Sequence, residues 1–318
     1  MSRFKVIVTD HVFESFHREE AALARVDAEL VVLQCKSIDE LLPQVADADG
    51  ILNTYLPGIG PKVFEAAPNL KAVVRYGIGV DTIDISAAKE RGIMVANVPD
   101  YCIDEVADHA LAHFLCLARK ISFAGKKVKN GEWSLGYCKP MPPIHGMRTG
   151  IIGFGRIGRA IAARIKPFNA EIVFSDPFAP DGTEGFAKVE MDELFATSDA
   201  VFVQCPATDE THHLLGSAAF GKMQKCPIIV NCARGEIVDT DALVEALQSG
   251  KVAGAGLDLL DDQDAVVNND HPLKHMDNVN LTPHSAWFSD TAIPTLQRRA
   301  AEEMAKILAG ERPMSPQS

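Results

Sequence analysis

The chain has 318 residues and a formal net charge of −12 at pH 7, which argues against the basic face that a nucleic-acid surface requires. Hydrophobic residues make up 47% and charged residues 23%, the balance of a globular protein long enough for two domains, since one core stops growing near ~250–300 residues. No run reaches the ~18 apolar residues of a membrane span, and no signal-like segment opens the chain.

Residues 1–100 alternate short apolar strands with helical patterns. Strands are predicted at Lys5–Thr9, Glu29–Leu33, Gly50–Thr54, Lys71–Arg75 and Met94–Val98, with helices such as Ser37–Val45 and Ile85–Arg91 between them. This rhythm predicts an α/β fold with parallel strands and crossover helices, whose ligands gather beyond the carboxyl ends of the strands. Apolar residues then recur at helical spacing from Asp104 to Ile121, predicting one long helix with acids (Asp104, Glu105, Asp108) at its positive end. The Gly- and Pro-rich stretch from Lys129 to Gly150 reads as loop.

The stretch Gly153-Phe-Gly-Arg-Ile-Gly158 follows a short apolar strand and opens a helix. Its glycines allow the tight turn, the approach of backbone to a pyrophosphate, and close helix–strand packing, while the helix N-terminus offers unpaired N–H groups to phosphate. A second strand, Glu171–Asp176, ends in an acid 18 residues after Gly158, placed to bind the adenosine ribose hydroxyls. Asp176 is followed by Pro177 and Phe178 and not by a base, which favours NAD over NADP. Later strands are predicted at Ala200–Gln204, Pro227–Asn231, Val252–Leu259 and Val279–Leu281, with helices at Asp241–Ser249 and Ala292–Ala309. The seven cysteines, odd in number and without C-x-x-C spacing, read as small core residues in a reducing, cytoplasmic setting. Composition alone places a domain boundary near residue 145.

Three further stretches follow in order: residues 231–239 (Asn-Cys-Ala-Arg-Gly-Glu-Ile-Val-Asp), 253–258 (Ala-Gly-Ala-Gly-Leu-Asp) and 281–287 (Leu-Thr-Pro-His-Ser-Ala-Trp). With the glycine turn, and with residues 75–84 and 97–108, they resemble the D-specific 2-hydroxyacid dehydrogenases from about residue 50 to 311. Within that family, His284–Trp287 and Thr211–Leu214 are similar to the branch containing the C-terminal-binding proteins. The resemblance implies two Rossmann-like or flavodoxin-like domains with the substrate cleft between them. The substrate domain is discontinuous (1–100 and 288–318), the NAD-binding domain spans 101–287, and the long helix after residue 101 helps to form a homodimer.

The implied chemistry is hydride transfer between a nicotinamide and a D-2-hydroxy or 2-keto acid. Arg234 matches the clamp on carboxylate and carbonyl oxygen, for which a planar two-pronged cation is suited, and His284 the general acid/base. Tyr55, Arg75, the backbone of Gly77, Ile78 and Gly79, and Trp287 match the substrate shell, although Trp287 also fits a core or hinge position. The cofactor set is Val106, Gly153, Gly155, Arg156, Ile157, Gly158, Asp176, Cys205, Pro206, Thr211, Cys232, Ala233 and Asp258, the last orienting the nicotinamide amide. The other nine histidines read as structural.

One departure stands out. Where the family places a glutamate beside its histidine, the count from Asp258 reaches Gln263, followed by Asp264 and not proline. Either Gln263 holds His284 by a neutral hydrogen bond, or Asp262 or Asp264 replaces it, or the pair is lost. A glutamine is also consistent with formate oxidation, and an NAD-sensing corepressor is the reading from another functional class. No metal, membrane or nucleic-acid partner is expected.

Overall fold

The computed structural model describes residues 3–318, and the chain divides into two compact units, Met1–Tyr101 with Phe288–Ser318, and Cys102–Trp287. In the first unit, β1 (Phe4–Val8), β2 (Ala28–Val32), β3 (Gly50–Asn53), β4 (Ala72–Arg75) and β5 (Met94–Ala96) form one sheet in the order β2-β1-β3-β4-β5. Every pairing is parallel, so each return is a crossover, made through α1 (His17–Leu23), α2 (Ile38–Leu41), α3 (Pro61–Ala66) and α4 (Ile85–Glu90). Strands β3 and β4 are buried at every position, the reason they read as unbroken apolar runs. Their side chains alternate between two cores. Ile51 and Val73 pack with Val63 and Phe64 on one face; Leu52 and Val74 pack with Leu296, Ala300 and Met304 on the other.

The second unit opens with α5 (Ile103–Ala118) and α6 (Ile121–Lys129). Its sheet has seven strands: β6 (Arg148–Ile152), β7 (Glu171–Ser175), β8 (Ala187–Lys188), β9 (Ala200–Val203), β10 (Ile228–Asn231), β11 (Gly254–Leu257) and β12 (Val279–Leu281). Their order is β12-β11-β10-β9-β6-β7-β8, all parallel, so the order reverses between β6 and β9. The connecting helices are α7 (Arg156–Ile165), α8 (Met191–Thr197), α9 (Ser217–Lys222), α10 (Thr240–Gln248) and α11 (Gln263–Asn268). The chain then returns to the first unit as α12 (Ala292–Leu308), which packs against α1, β3 and β4.

Two sequence expectations need correction here. A boundary near residue 145 falls inside the second unit, because α5 already packs on α7, β10 and β11. The single helix expected over 104–121 ends at Ala118, where Lys120 adopts a left-handed φ of 52° and α6 starts afresh at Ile121. Periodicity could not show that break, since the apolar spacing runs on through it. Among the described residues, no helix is long and apolar enough to cross a membrane.

Candidate active site

The reversal of strand order places a crevice at the carboxyl ends of β6 and β9, where open α/β sheets bind ligands. Gly153 follows β6 with φ 88°, and a Cβ there would stand 2.6 Å from the Cys205 nitrogen, so the turn requires glycine. A Cβ on Gly158 would overlap the Gly153 carbonyl, which lets α7 start hard against the turn. Gly155 caps α7 and faces open space, leaving room for a phosphate beside the first N–H groups of the helix. Arg156 and Ile157 form the first turn.

Asp176 follows β7. Its carboxylate accepts from Phe154 N at 2.6 Å, Phe178 N at 2.7 Å and Ala179 N at 3.1 Å. The acid is thereby fixed next to the glycine turn with acceptor capacity to spare, the arrangement a ribose diol needs. On the other side of the crevice stand Cys205 and Pro206, with Thr211 Oγ1 donating to Pro206 O at 2.7 Å. Burial raises the Cys205 thiol to about 11 and pushes Cys232 well up, so both stay protonated and serve packing. Val106, on α5, is buried. These residues fit a dinucleotide.

Three strand ends further along carry the reactive candidates. After β10, buried Asn231 shapes the loop: its Oδ1 accepts from Ala233 N at 3.0 Å and its Nδ2 donates to Arg234 O at 2.7 Å. Arg234 is half-buried, with Nη1 donating to Ala233 O. After β12, His284 takes a left-handed φ of 52°, and its N–H donates to Asp258 O at 2.9 Å. Neighbouring strands lie about 4.8 Å apart, so β10 and β12, on either side of β11, bring Arg234 and His284 to one edge within roughly 10 Å of strand spacing.

Asp258 follows β11. Its side chain is fully enclosed, and its oxygens accept from Thr282 Oγ1 (2.5 Å), Ser285 N (2.9 Å) and Ala286 N (2.9 Å). In this structure the carboxylate pins the loop that carries His284. Thr282 is saturated in turn: it donates to Asp258 and accepts from His109 Nε2 at 2.9 Å and His113 Nε2 at 3.1 Å. Burial lowers His113 to about 4, with His109 beside it acting in the same sense, so its imidazole is neutral at pH 7. The pair at i and i+4 on α5 was the one sequence signal for this network.

Gln263 is an exposed residue in the first turn of α11 and makes no side-chain hydrogen bond among the described residues. It lines a cavity of about 270 Å³ together with Asp258, Thr282 and Pro283, the residues leading to His284. The alternative partner Asp262 is engaged as the cap of α11, accepting from Ala265 N at 2.8 Å. Asp264 is exposed.

In the first unit, Arg75 ends β4 and is 4% exposed. Its guanidinium lies over the Tyr55 ring at 5.0 Å, its Nη1 donates to Tyr76 O, and its Nε has no partner. Gly77 (φ 147°) leaves the space this guanidinium occupies. Asn97 Nδ2 donates to Ile78 O at 2.6 Å and steadies the turn through Gly79. Asp10 fixes the Tyr55 loop by accepting from the backbone of Thr54, Tyr55 and Leu56. Trp287 is half-buried.

Residues 111–286 match the family model described as D-isomer specific 2-hydroxyacid dehydrogenase, NAD binding domain. The chain is 35% identical over 324 residues to a glyoxylate reductase of Thermofilum pendens, covering 98% of this chain and 94% of that one. It is 35% identical over 312 residues to a hydroxypyruvate reductase of Thermotoga maritima, covering 98% and 99%. Among solved structures, a D-lactate dehydrogenase of Aquifex aeolicus complexed with NAD and lactic acid superposes with a TM-score of 0.87 at 26% identity, over 96% of each chain.

Proposed function

The chain belongs to the D-isomer-specific 2-hydroxyacid dehydrogenases and is an NAD(P)-dependent oxidoreductase of 2-hydroxy and 2-keto acids; from this premise we propose how its residues carry the reaction and on what. The glycine turn and Asp176 would hold NADH, which would supply the hydride for the keto carbon. Arg234 clamps the carboxylate and carbonyl oxygen, neutralising charge as it develops there. His284 donates the proton to that oxygen, and in the reverse direction it takes the proton back. Asp258 and Thr282 act through the loop by keeping the histidine in place. Asp176 selects NADH, because a fixed carboxylate repels a 2′-phosphate. Tyr55, Arg75, Gly77, Ile78, Gly79 and Trp287 are assigned to substrate recognition.

The substrate is a small 2-keto acid of glyoxylate or hydroxypyruvate size, the class for which relatives are named. The likeness to C-terminal-binding proteins rests on two short stretches and is not borne out: the relatives that match are glyoxylate and hydroxypyruvate reductases and D-3-phosphoglycerate dehydrogenases. The corepressor and formate readings rest on those stretches and on Gln263 alone. A homodimer is also inferred: Trp133 (89% exposed) and Leu135 (74%) stand bare, and a cavity of about 1040 Å³ lined by Phe123, Met141 and Met147 belongs to the same region of the chain.

The observation that carries the mechanism is the alignment of Arg234, Asp258 and His284 at the carboxyl ends of three adjacent parallel strands. The test is NADH oxidation with a panel of 2-keto acids, using the native chain and Arg234→Lys. Glyoxylate or hydroxypyruvate should be reduced, and the Lys variant should lose on the order of 10²-fold or more in kcat/KM, since it keeps the charge without the fork. Silence of the native enzyme towards every keto acid overturns the substrate class; near-native turnover of the variant moves the clamp to Arg75.

A further inference from the structure

The loop after β9 carries two adjacent histidines, His212 and His213. In an extended chain their rings would point to opposite sides. Here His213 has a left-handed φ of 50°, and the rings stack with centroids 4.0 Å apart. The loop is anchored on both sides of that turn, His213 N donating to Glu236 O at 2.8 Å and Leu215 N to Ile237 O at 3.0 Å. From the loop after β11, Asp261 Oδ2 lies 2.7 Å from His213 Nε2. Behind the same ring, Asp239 Oδ2 is 3.9 Å from Nδ1. One imidazole therefore sits between two carboxylates with a second imidazole on its face.

A surface His–Asp pair accounts for the 2.7 Å contact but not for the rest. The chain contains such a pair, His275 with Asp270, which has no second ring stacked on it. At the first site, one ligand atom from each of His212, His213 and Asp261 lies within 4.8 Å of the others. Two neutral imidazole nitrogens and a carboxylate oxygen are a donor set for zinc and its neighbours, and three protein ligands leave a position for water.

We propose that His212, His213 and Asp261 form a binding site for a divalent transition metal, Zn²⁺ foremost, that clips the loop after β9 to the loop after β11. Ligand atoms ~2.0–2.2 Å from a tetrahedral ion stand about 3.4 Å apart, so the His213–Asp261 pair, now at 2.7 Å, opens by about 0.7 Å while the remaining separations close by at most about 1.4 Å. Rotation of the exposed His212 ring supplies that movement. The ion takes the place of the proton between His213 Nε2 and Asp261, and the neutral ring carries its single proton on Nδ1 instead. Asp239, 3.9 Å from Nδ1, places its negative charge on the side of the ring where that proton then sits. Neither imidazole is a residue assigned to the hydride or proton transfer.

The test uses the full chain stripped with a chelator and then titrated with Co²⁺, followed by its visible absorption, and with Zn²⁺ in competition with a chromophoric chelator. One ion should bind per chain with the spectrum of nitrogen and oxygen ligands. Asp261→Asn and His212→Ala should each weaken binding by roughly 10-fold or more, while His275→Ala leaves it unchanged. His212 is exposed, so its replacement leaves the fold intact, which circular dichroism verifies. Absence of binding by the native chain, a thiolate spectrum, or affinity unaltered in both variants overturns the proposal.

Discussion

At the scale of the residue, three backbone N–H groups hold the Asp176 carboxylate, so it cannot swing aside to admit a 2′-phosphate. NADH should be strongly preferred, and Asp176→Ala should narrow the preference by on the order of 10-fold, mainly through the cofactor KM. Steady-state kinetics with both cofactors checks this, and equal efficiency of the native enzyme with NADPH refutes it. His113 makes a pH prediction. Its folded pKa of about 4 lies below the ordinary 6.5, so the unfolded chain takes up the proton first as pH falls. The stability it contributes is complete above about 6.5 and is lost as pH drops through 4, up to roughly 3 kcal/mol. Denaturant unfolding of the native chain and His113→Gln across that range should show the native advantage shrinking towards low pH. A constant difference would mean that folding leaves the imidazole's pKa unshifted. Arg234 and His284 were legible because each lies in a distinctive local motif. Thr282 was not, since its partner His109 stands 173 residues away and nothing local marks the pairing.

At the scale of the element, α5 lies on the glycine-rich strand β11. A Cβ on Gly256 would stand 2.6 Å from the His113 Cβ, on a rigid part of the helix. Gly256→Ala should therefore cost about 1–3 kcal/mol by overpacking, measurable as a fall in unfolding midpoint. A neutral result would show that α5 can lift off the sheet. The acids read as dipole partners of α5 have a more specific role: Arg164 of α7 bonds both Asp104 at 2.7 Å and Asp108 at 2.5 Å, tying the two helices together. Strand positions were legible to within about two residues, because buried parallel strands are short apolar runs, except for the two-residue, half-exposed edge strand β8, which no apolar run marks. The end of α5 was not, because one left-handed residue breaks a helix without disturbing its apolar spacing.

At the scale of the whole molecule, the bare aromatic and aliphatic groups after α6 predict a second copy of the chain. Native protein should sediment as a dimer, and Trp133→Glu should shift it towards monomer at low concentration without loss of secondary structure. A native monomer would refute the inference. The sequence by itself determined the α/β class, the parallel strands and the nucleotide turn, and it marked Arg234 and His284 as candidates, because these depend on local spacing and on motifs of a few residues. Only the tertiary structure decided the rest: the reversal of strand order beside β6, the enclosure of Asp258 under the His284 loop, the exposure of Gln263, and the meeting of Asp261 with two stacked histidines. Each of these is set by which strand ends become neighbours in the sheet, a property of the packed chain as a whole that no window of sequence contains.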